Sequence, residues 1–83
     1  MPEEFDFGAA LDYLRGGRKL ARKGWNGKGM WIAMQQPDGN SMNTLPYLYI
    51  EYPRGHQAYP RGSRVPWLAS QTDMLAEDWV LFD

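Results

Sequence analysis

Residues 6–17 read Asp6-Phe7-Gly8-Ala9-Ala10-Leu11-Asp12-Tyr13-Leu14-Arg15-Gly16-Gly17, and this stretch decides the fold. Phe7, Ala10, Leu11 and Leu14 fall at i, i+3, i+4 and i+7, the apolar stripe of one helix face. Asp6 is suited to cap its start and Gly16-Gly17 to stop it in a left-handed turn. Beyond Gly17 the period changes from 3.6 to 2. Arg18 to Lys23 is short and mostly charged and predicts an edge strand with Leu20 inward, leading into a glycine-rich turn over residues 24–29. Met30, Ile32 and Met34 alternate with Trp31, Ala33 and Gln35, and after a turn at Pro37-Asp38-Gly39-Asn40, Leu48, Ile50 and Tyr52 alternate with Tyr47, Tyr49 and Glu51. Residues 53–66 carry three prolines, two glycines and three arginines and read as an extended arm or long hairpin with little core of its own. Trp67-Leu68-Ala69 predicts another strand. Ser70 or Thr72 then caps a helical turn or two through Met74-Leu75-Ala76, with Asp73 near its positive end, and Trp79 to Phe82 closes as a strand with Trp79 in the core. The whole is an α+β fold: an N-terminal helix packed on a small antiparallel sheet of four or five strands, with a short helix before the last strand.

Eighty-three residues, 43% hydrophobic and 23% charged, describe a single domain over residues 1–83. A chain this small buries only about 60% of the surface it exposes when unfolded, so it needs support beyond its own core. The absence of cysteine removes disulfides and thiolate metal sites, and the single histidine, His56, cannot build a metal site alone. Oligomerisation is the remaining support. No apolar run approaches the roughly 20 residues needed to span a bilayer, and the first residues lack the features of a secretion signal. A cytosolic protein is expected.

The net charge of −1 conceals a segregation of charge. Arg15, Arg18, Lys19, Arg22, Lys23 and Lys28 occupy residues 15–28 without an acid, Arg54, Arg61 and Arg64 lie in the arm without one, and eight of ten acids sit near the two ends. Two readings follow: a locally positive surface for an anionic partner, or pairing of bases with acids across the fold.

The residues argue against catalysis. His56 lies in the arm, no G-x-S-x-G motif occurs, and Glu77 and Asp78, being adjacent, point different ways on a helix. The glycines of residues 24–29 lack the order of a dinucleotide fingerprint. What stands out is the pairing of aromatic rings with amides and bases. Trp25, Asn26, Gly27 and Lys28 place an indole, a bidentate amide, exposed backbone N–H groups and an ammonium together, matching in turn a purine face, a base edge or ribose hydroxyl, and a phosphate. The alternative for Trp25 is a place in the core beside a plain turn. A second cluster adds Trp67 and the polar run Ser70, Gln71, Thr72 and Asp73 at a helix start. Arg54, His56, Gln57, Arg61 and Arg64, with Tyr52 and Tyr59, form an Arg/aromatic set suited to phosphates and stacked bases, or else a solvated hairpin or subunit contact.

Three blocks, Phe7 to Leu14, Ala21 to Gly29 and Pro66 to Trp79, in order along the chain, resemble the phage-encoded Thoeris anti-defence proteins of the second type. The resemblance rests on Trp25-Asn26-Gly27-Lys28-Gly29 and on the run from Trp67 through Ala69-Ser70-Gln71, Asp73, Leu75-Ala76 and Asp78-Trp79, both long and unusual. It implies a non-enzymatic sponge without cofactor or metal, a homotetramer that sequesters the cyclic ADP-ribose isomers made by Thoeris TIR-domain proteins in the cytoplasm of the infected host. It further implies that Trp25, Asn26, Trp67, Gln71, Thr72 and Asp73 line that pocket. Some members also bind CBASS cyclic dinucleotides or trinucleotides at a separate site, which charge alone would put at Arg54, His56, Gln57, Arg61 and Arg64.

Two other functions fit parts of the chain. A single-stranded nucleic-acid binder would run phosphates along residues 15–28 and stack bases on Trp25, Trp31 or Tyr49, but near-zero net charge and acidic ends disfavour polymer binding, which rewards a continuous basic track. An enzyme degrading the signal would release altered ligand, whereas a sponge returns it intact.

Overall fold

The computed structural model describes residues 3–25, 29–42, 44–55 and 61–82, except for the side chain of Arg61. Helix α1 spans Phe7–Arg15, followed by strands β1 (Leu20–Arg22), β2 (Trp31–Gln35), β3 (Tyr47–Arg54) and β4 (Arg61–Pro66), helix α2 (Gln71–Leu75) and strand β5 (Trp79–Leu81). The strands form one antiparallel sheet in the order β4-β3-β2-β1-β5, the α+β architecture expected from the sequence.

Local chemistry sets the ends of α1. Asp6 is extended and its carboxylate accepts the Ala9 N–H at 2.9 Å, satisfying one of the donors that a helix start leaves unpaired. At the other end Gly17 takes a φ of +88°, which a residue with a β-carbon rarely adopts, and lets the Gly17 and Arg18 N–H groups close on Leu14 and Tyr13 carbonyls at 3.0 Å. The buried face of α1, Ala10 and Leu14, lies against one face of the sheet.

Register defines that face. Leu20 lies opposite Ile32 and Leu81, Ile32 opposite Ile50, and Ile50 opposite Val65, so these side chains share the helix-covered side. Trp79 joins them and is fully buried, the core position expected for it. The other face carries Trp31, Ala33, Tyr49, Glu51 and Arg64 by the same register. Trp31 is nonetheless only 6% exposed, because Tyr49, Phe82, Lys19 and Arg64 pack over its ring.

Two expectations about strands are corrected. First, β1 is not an edge strand: β5 returns antiparallel to it and pairs Leu20, Ala21 and Arg22 with Leu81, Val80 and Trp79. Its charged end is tolerated inside the sheet because Arg22 finds two carboxylates there. Second, Trp67-Leu68-Ala69 is not a strand. The fourth strand lies earlier, at Arg61–Pro66, in the segment read as an arm or long hairpin: β4 pairs antiparallel with β3, as the hairpin reading has it, and its Val65 packs on the core. Pro66 has no N–H to continue a ladder, and after a last bond from Trp67 N–H to the Leu48 carbonyl at 3.0 Å the chain leaves the sheet.

The turn expected at residues 37–40 is present, built on Asp38, whose carboxylate accepts the Asn40 N–H at 2.8 Å. Beyond β5, Phe5 exchanges two backbone hydrogen bonds with Trp79, at 2.9 and 3.1 Å, and covers part of that edge. No helix among the described residues is long and apolar enough to cross a membrane.

Candidate functional site: an aromatic corner organised by one carboxylate

The Trp67–Ser70 segment and α2 carry the chain back over the end of β1, and this brings three tryptophans together. Trp25, Trp67 and Trp79 stand edge-on to one another with ring centroids 5.6–6.5 Å apart, the arrangement favoured by the aromatic quadrupole, and Phe7 of α1 closes the group from behind. Trp79 is buried, whereas Trp25 and Trp67 are half-buried and border solvent.

Asp73, on the second residue beyond the start of α2, organises this corner. Ser70 caps the helix through a reciprocal box: its hydroxyl accepts the Asp73 N–H at 3.1 Å while the Asp73 carboxylate accepts the Ser70 N–H at 3.1 Å. The same carboxylate accepts the Ser70 hydroxyl at 2.8 Å, Arg22 at 2.8 Å and the Trp25 indole N–H at 3.3 Å. The Asp73 carbonyl accepts the Trp79 indole N–H at 3.0 Å. One residue therefore fixes two of the three indoles, one through its side chain and one through its backbone. A buried carboxylate with this many donors is compensated. Burial pushes its pKa up, and the bonds from Arg22, Ser70 and Trp25 outweigh that and hold it below the ordinary carboxylate range.

Arg22 also donates from Nε to Asp78 at 2.8 Å, which holds Asp78 below its ordinary pKa, and the two carboxylates together raise the pKa of the guanidinium. Asp78 accepts the Gly24 N–H at 2.8 Å with its other oxygen. Neither Arg22 nor Asp78 belongs to the site set chosen from sequence. Their signal was the segregation of charge, bases before residue 24 and acids after residue 72, which left cross-fold pairing open. Pairing across the fold is what the structure shows for Arg22, and also for Lys23 with Glu4 at 2.9 Å, whereas Arg15 meets Asp12 at 3.7 Å within α1.

Of the expected site residues, Trp25, Trp67, Ser70 and Asp73 come together at the corner. Thr72 shares a 2.8 Å hydrogen bond with Ser70, and Gln71 is exposed on the first turn of α2. Asn26, Gly27 and Lys28 lie outside the described residues, though they follow Trp25 directly. Of the second set, His56, Gln57 and the Arg61 side chain also lie outside them. Arg54 and Arg64 border one shallow depression with Glu51, Tyr52, Gly62 and Ser63 at the far hairpin. The Arg64 guanidinium is engaged there by Glu51 and by the Trp31 and Tyr49 rings. Among the described residues no group of three or more His, Asp or Glu side chains could hold a metal ion.

An aromatic wall edged with hydroxyls, amides and fixed dipoles suits a flat heterocycle carrying polar substituents. Comparison with known proteins places the chain in a family. Residues 5–82 match the family model described as the Thoeris anti-defense 2-like domain. The chain is also 33% identical over 86 residues to the Thoeris anti-defense 2 protein of Bacillus phage SP01, a match covering 95% of this chain and 96% of that protein.

Proposed function

From the premise that this chain belongs to the Thoeris anti-defense 2-like family, we propose that it is a phage protein that counters Thoeris defence by sequestering cyclic ADP-ribose isomers in the cytoplasm of the infected host, without cleaving them. The observation that carries this reading is the corner itself: Trp25 and Trp67 offer partly exposed rings for an adenine, held in place by an internal network rather than by the ligand. A binder that must retain a scarce signal gains from such preorganisation, because rigid walls lower the cost of binding and slow release.

The protein acts as a homotetramer in this reading. The support is the size of the chain and the exposed apolar side chains of the segment that carries Trp67 and Asp73: Leu68 is 91% exposed, Leu75 78% and Met74 45%. A second copy laid over these side chains would also supply a further wall to a site that one protomer leaves open. A separate site for cyclic dinucleotides or trinucleotides would draw on Arg54 and Arg64, and Arg64 would have to give up Glu51 to serve it.

Calorimetric titration with a panel of cyclic ADP-ribose isomers, cyclic dinucleotides and cyclic trinucleotides tests the proposal. At least one cyclic ADP-ribose isomer is expected to bind at micromolar Kd or tighter, about −8 kcal/mol. Heating the complex and analysing the supernatant is expected to return that ligand intact. Altered ligand would make the protein an enzyme, and a steep loss of affinity with salt, accompanied by binding to oligonucleotides, would favour the nucleic-acid reading.

A further inference from the structure

The chain enters the corner from β1 through three consecutive backbone N–H groups, each with a partner. Lys23 N–H donates to the Asp78 carbonyl at 3.1 Å, Gly24 N–H to Asp78 Oδ2 at 2.8 Å, and Trp25 N–H to the Arg22 carbonyl at 3.3 Å. Asp78 Oδ1 accepts Arg22 Nε at 2.8 Å, and Arg22 Nη1 reaches Asp73 Oδ1 at 2.8 Å, the same oxygen that takes the Trp25 indole N–H. The contacts close a ring. The backbone leading to Trp25 is held through Asp78, its indole through Asp73, and Arg22 ties the two carboxylates together.

Gly24 shows how close this fit is. A β-carbon placed there would stand 2.7 Å from Asp78 Oδ2, nearer than real β-carbons come, and the next atom, on Arg22, would be at an ordinary 3.6 Å. Gly24 does not use the left-handed region, so its backbone admits alanine. Only the position of the Asp78 carboxylate excludes a side chain.

We infer that Asp78 is a positioning residue for ligand binding, which fixes Trp25 against Trp67 by clamping the Gly24 N–H and the Arg22 guanidinium, without itself touching ligand. This rests on the reading of the corner as the ligand site. Ligand affinity then depends on the approach of Asp78 to Gly24, not on the charge of Asp78 as seen by the ligand.

The test uses Asp78→Ala, Asp78→Asn, Gly24→Ala and the double variant Gly24→Ala/Asp78→Ala in the full chain. The probe is whichever cyclic ADP-ribose isomer binds the wild type. Each single variant is expected to weaken binding by about tenfold, the scale of one lost charge-assisted hydrogen bond. Asparagine keeps the shape but turns an amide NH2 toward one of two donors, and alanine at residue 24 drives the carboxylate away while leaving it charged. The double variant is expected to bind as Asp78→Ala does, because the added methyl then meets no carboxylate. The near-ultraviolet circular dichroism of the tryptophans should change in all four variants while the far-ultraviolet spectrum holds. The inference is overturned if Gly24→Ala and Asp78→Asn bind within about twofold of wild type, or if the losses add in the double variant. Should the wild type bind no isomer, the reading of the site fails instead. The inference is then judged on the tryptophan spectrum alone, and an unchanged spectrum in Gly24→Ala and Asp78→Asn overturns it.

Discussion

Two ends of the sheet each join an arginine to a carboxylate, and they do different things with the same chemistry. At the aromatic corner, the side chains of Arg22, Asp73 and Asp78 are 18%, 13% and 26% exposed, and the two carboxylates that Arg22 joins also accept the Trp25 indole N–H and the Gly24 backbone N–H. At the far hairpin, Arg64 lies across the strands from Glu51 with its side chain 61% exposed. The carboxylates Glu51 and Asp78 are similarly shielded, at 29% and 26% exposed, and it is the guanidinium that water reaches at the hairpin and not at the corner. An exposed ion pair is worth little to stability, whereas removing one partner of a buried network leaves the others desolvated and unmatched. Charge near the corner therefore holds the indole and backbone of Trp25 in place, and charge at the hairpin lies in water over the Trp31 and Tyr49 rings.

The contrast can be broken by mutation. The largest effect is expected at Trp79→Ala, which empties the centre of the corner and should cost about 4 kcal/mol in denaturant unfolding. Asp73→Ala comes next, at about 3 kcal/mol, because Arg22, Ser70 and the Trp25 indole lose their shared acceptor. Glu51→Gln at the hairpin should stay below about 1 kcal/mol. If Glu51→Gln cost as much as Asp73→Ala, the two ends would be alike, and Asp73 would not be the organiser of the corner.

Acid sharpens the same comparison. Asp73 and Asp78 both sit below the ordinary carboxylate range in the folded chain. Their contribution is complete above the unfolded value of about 3.9 and is lost as pH falls through the lower folded values. Denaturant midpoints at pH 7 and pH 5 should show no loss from these two groups, and the midpoint should fall below about pH 4. In the Asp73→Ala variant that acid loss should be smaller. An equal loss in the variant would mean that other carboxylates govern it.

How much was legible in the sequence follows from how local each signal is. Helix α1 could be read to its caps because Asp6, the stripe from Phe7 to Leu14 and Gly16-Gly17 lie within one stretch. The alternation that marks β2 and β3 is equally local. The place of β1 was not legible, since a three-residue strand ending in Arg22 looks like an edge until Asp73 and Asp78, more than fifty positions away, are brought to it. Strand β4 is hidden by Gly62 and Pro66, which an outer strand can carry because its free side needs no ladder partner. At the site, Trp25, Trp67 and Asp73 stand out as residue types, but the part of Asp73 as organiser of the corner does not. Asp73 read as a helix-start acid facing a ligand, and its carboxylate turns out to be occupied by the chain itself.

Ligand binding at the aromatic corner is tested by comparing the two ends of the sheet. Trp67→Ala and Arg64→Ala, each confirmed as folded and with the oligomeric state of wild type, are titrated calorimetrically with the cyclic ADP-ribose isomer that wild type binds. Trp67→Ala should weaken binding by more than about tenfold, and Arg64→Ala should leave it within about twofold, since loss of one stacked ring costs on the order of 1–3 kcal/mol. Equal binding by Trp67→Ala and wild type, or a loss confined to Arg64→Ala, would contradict it.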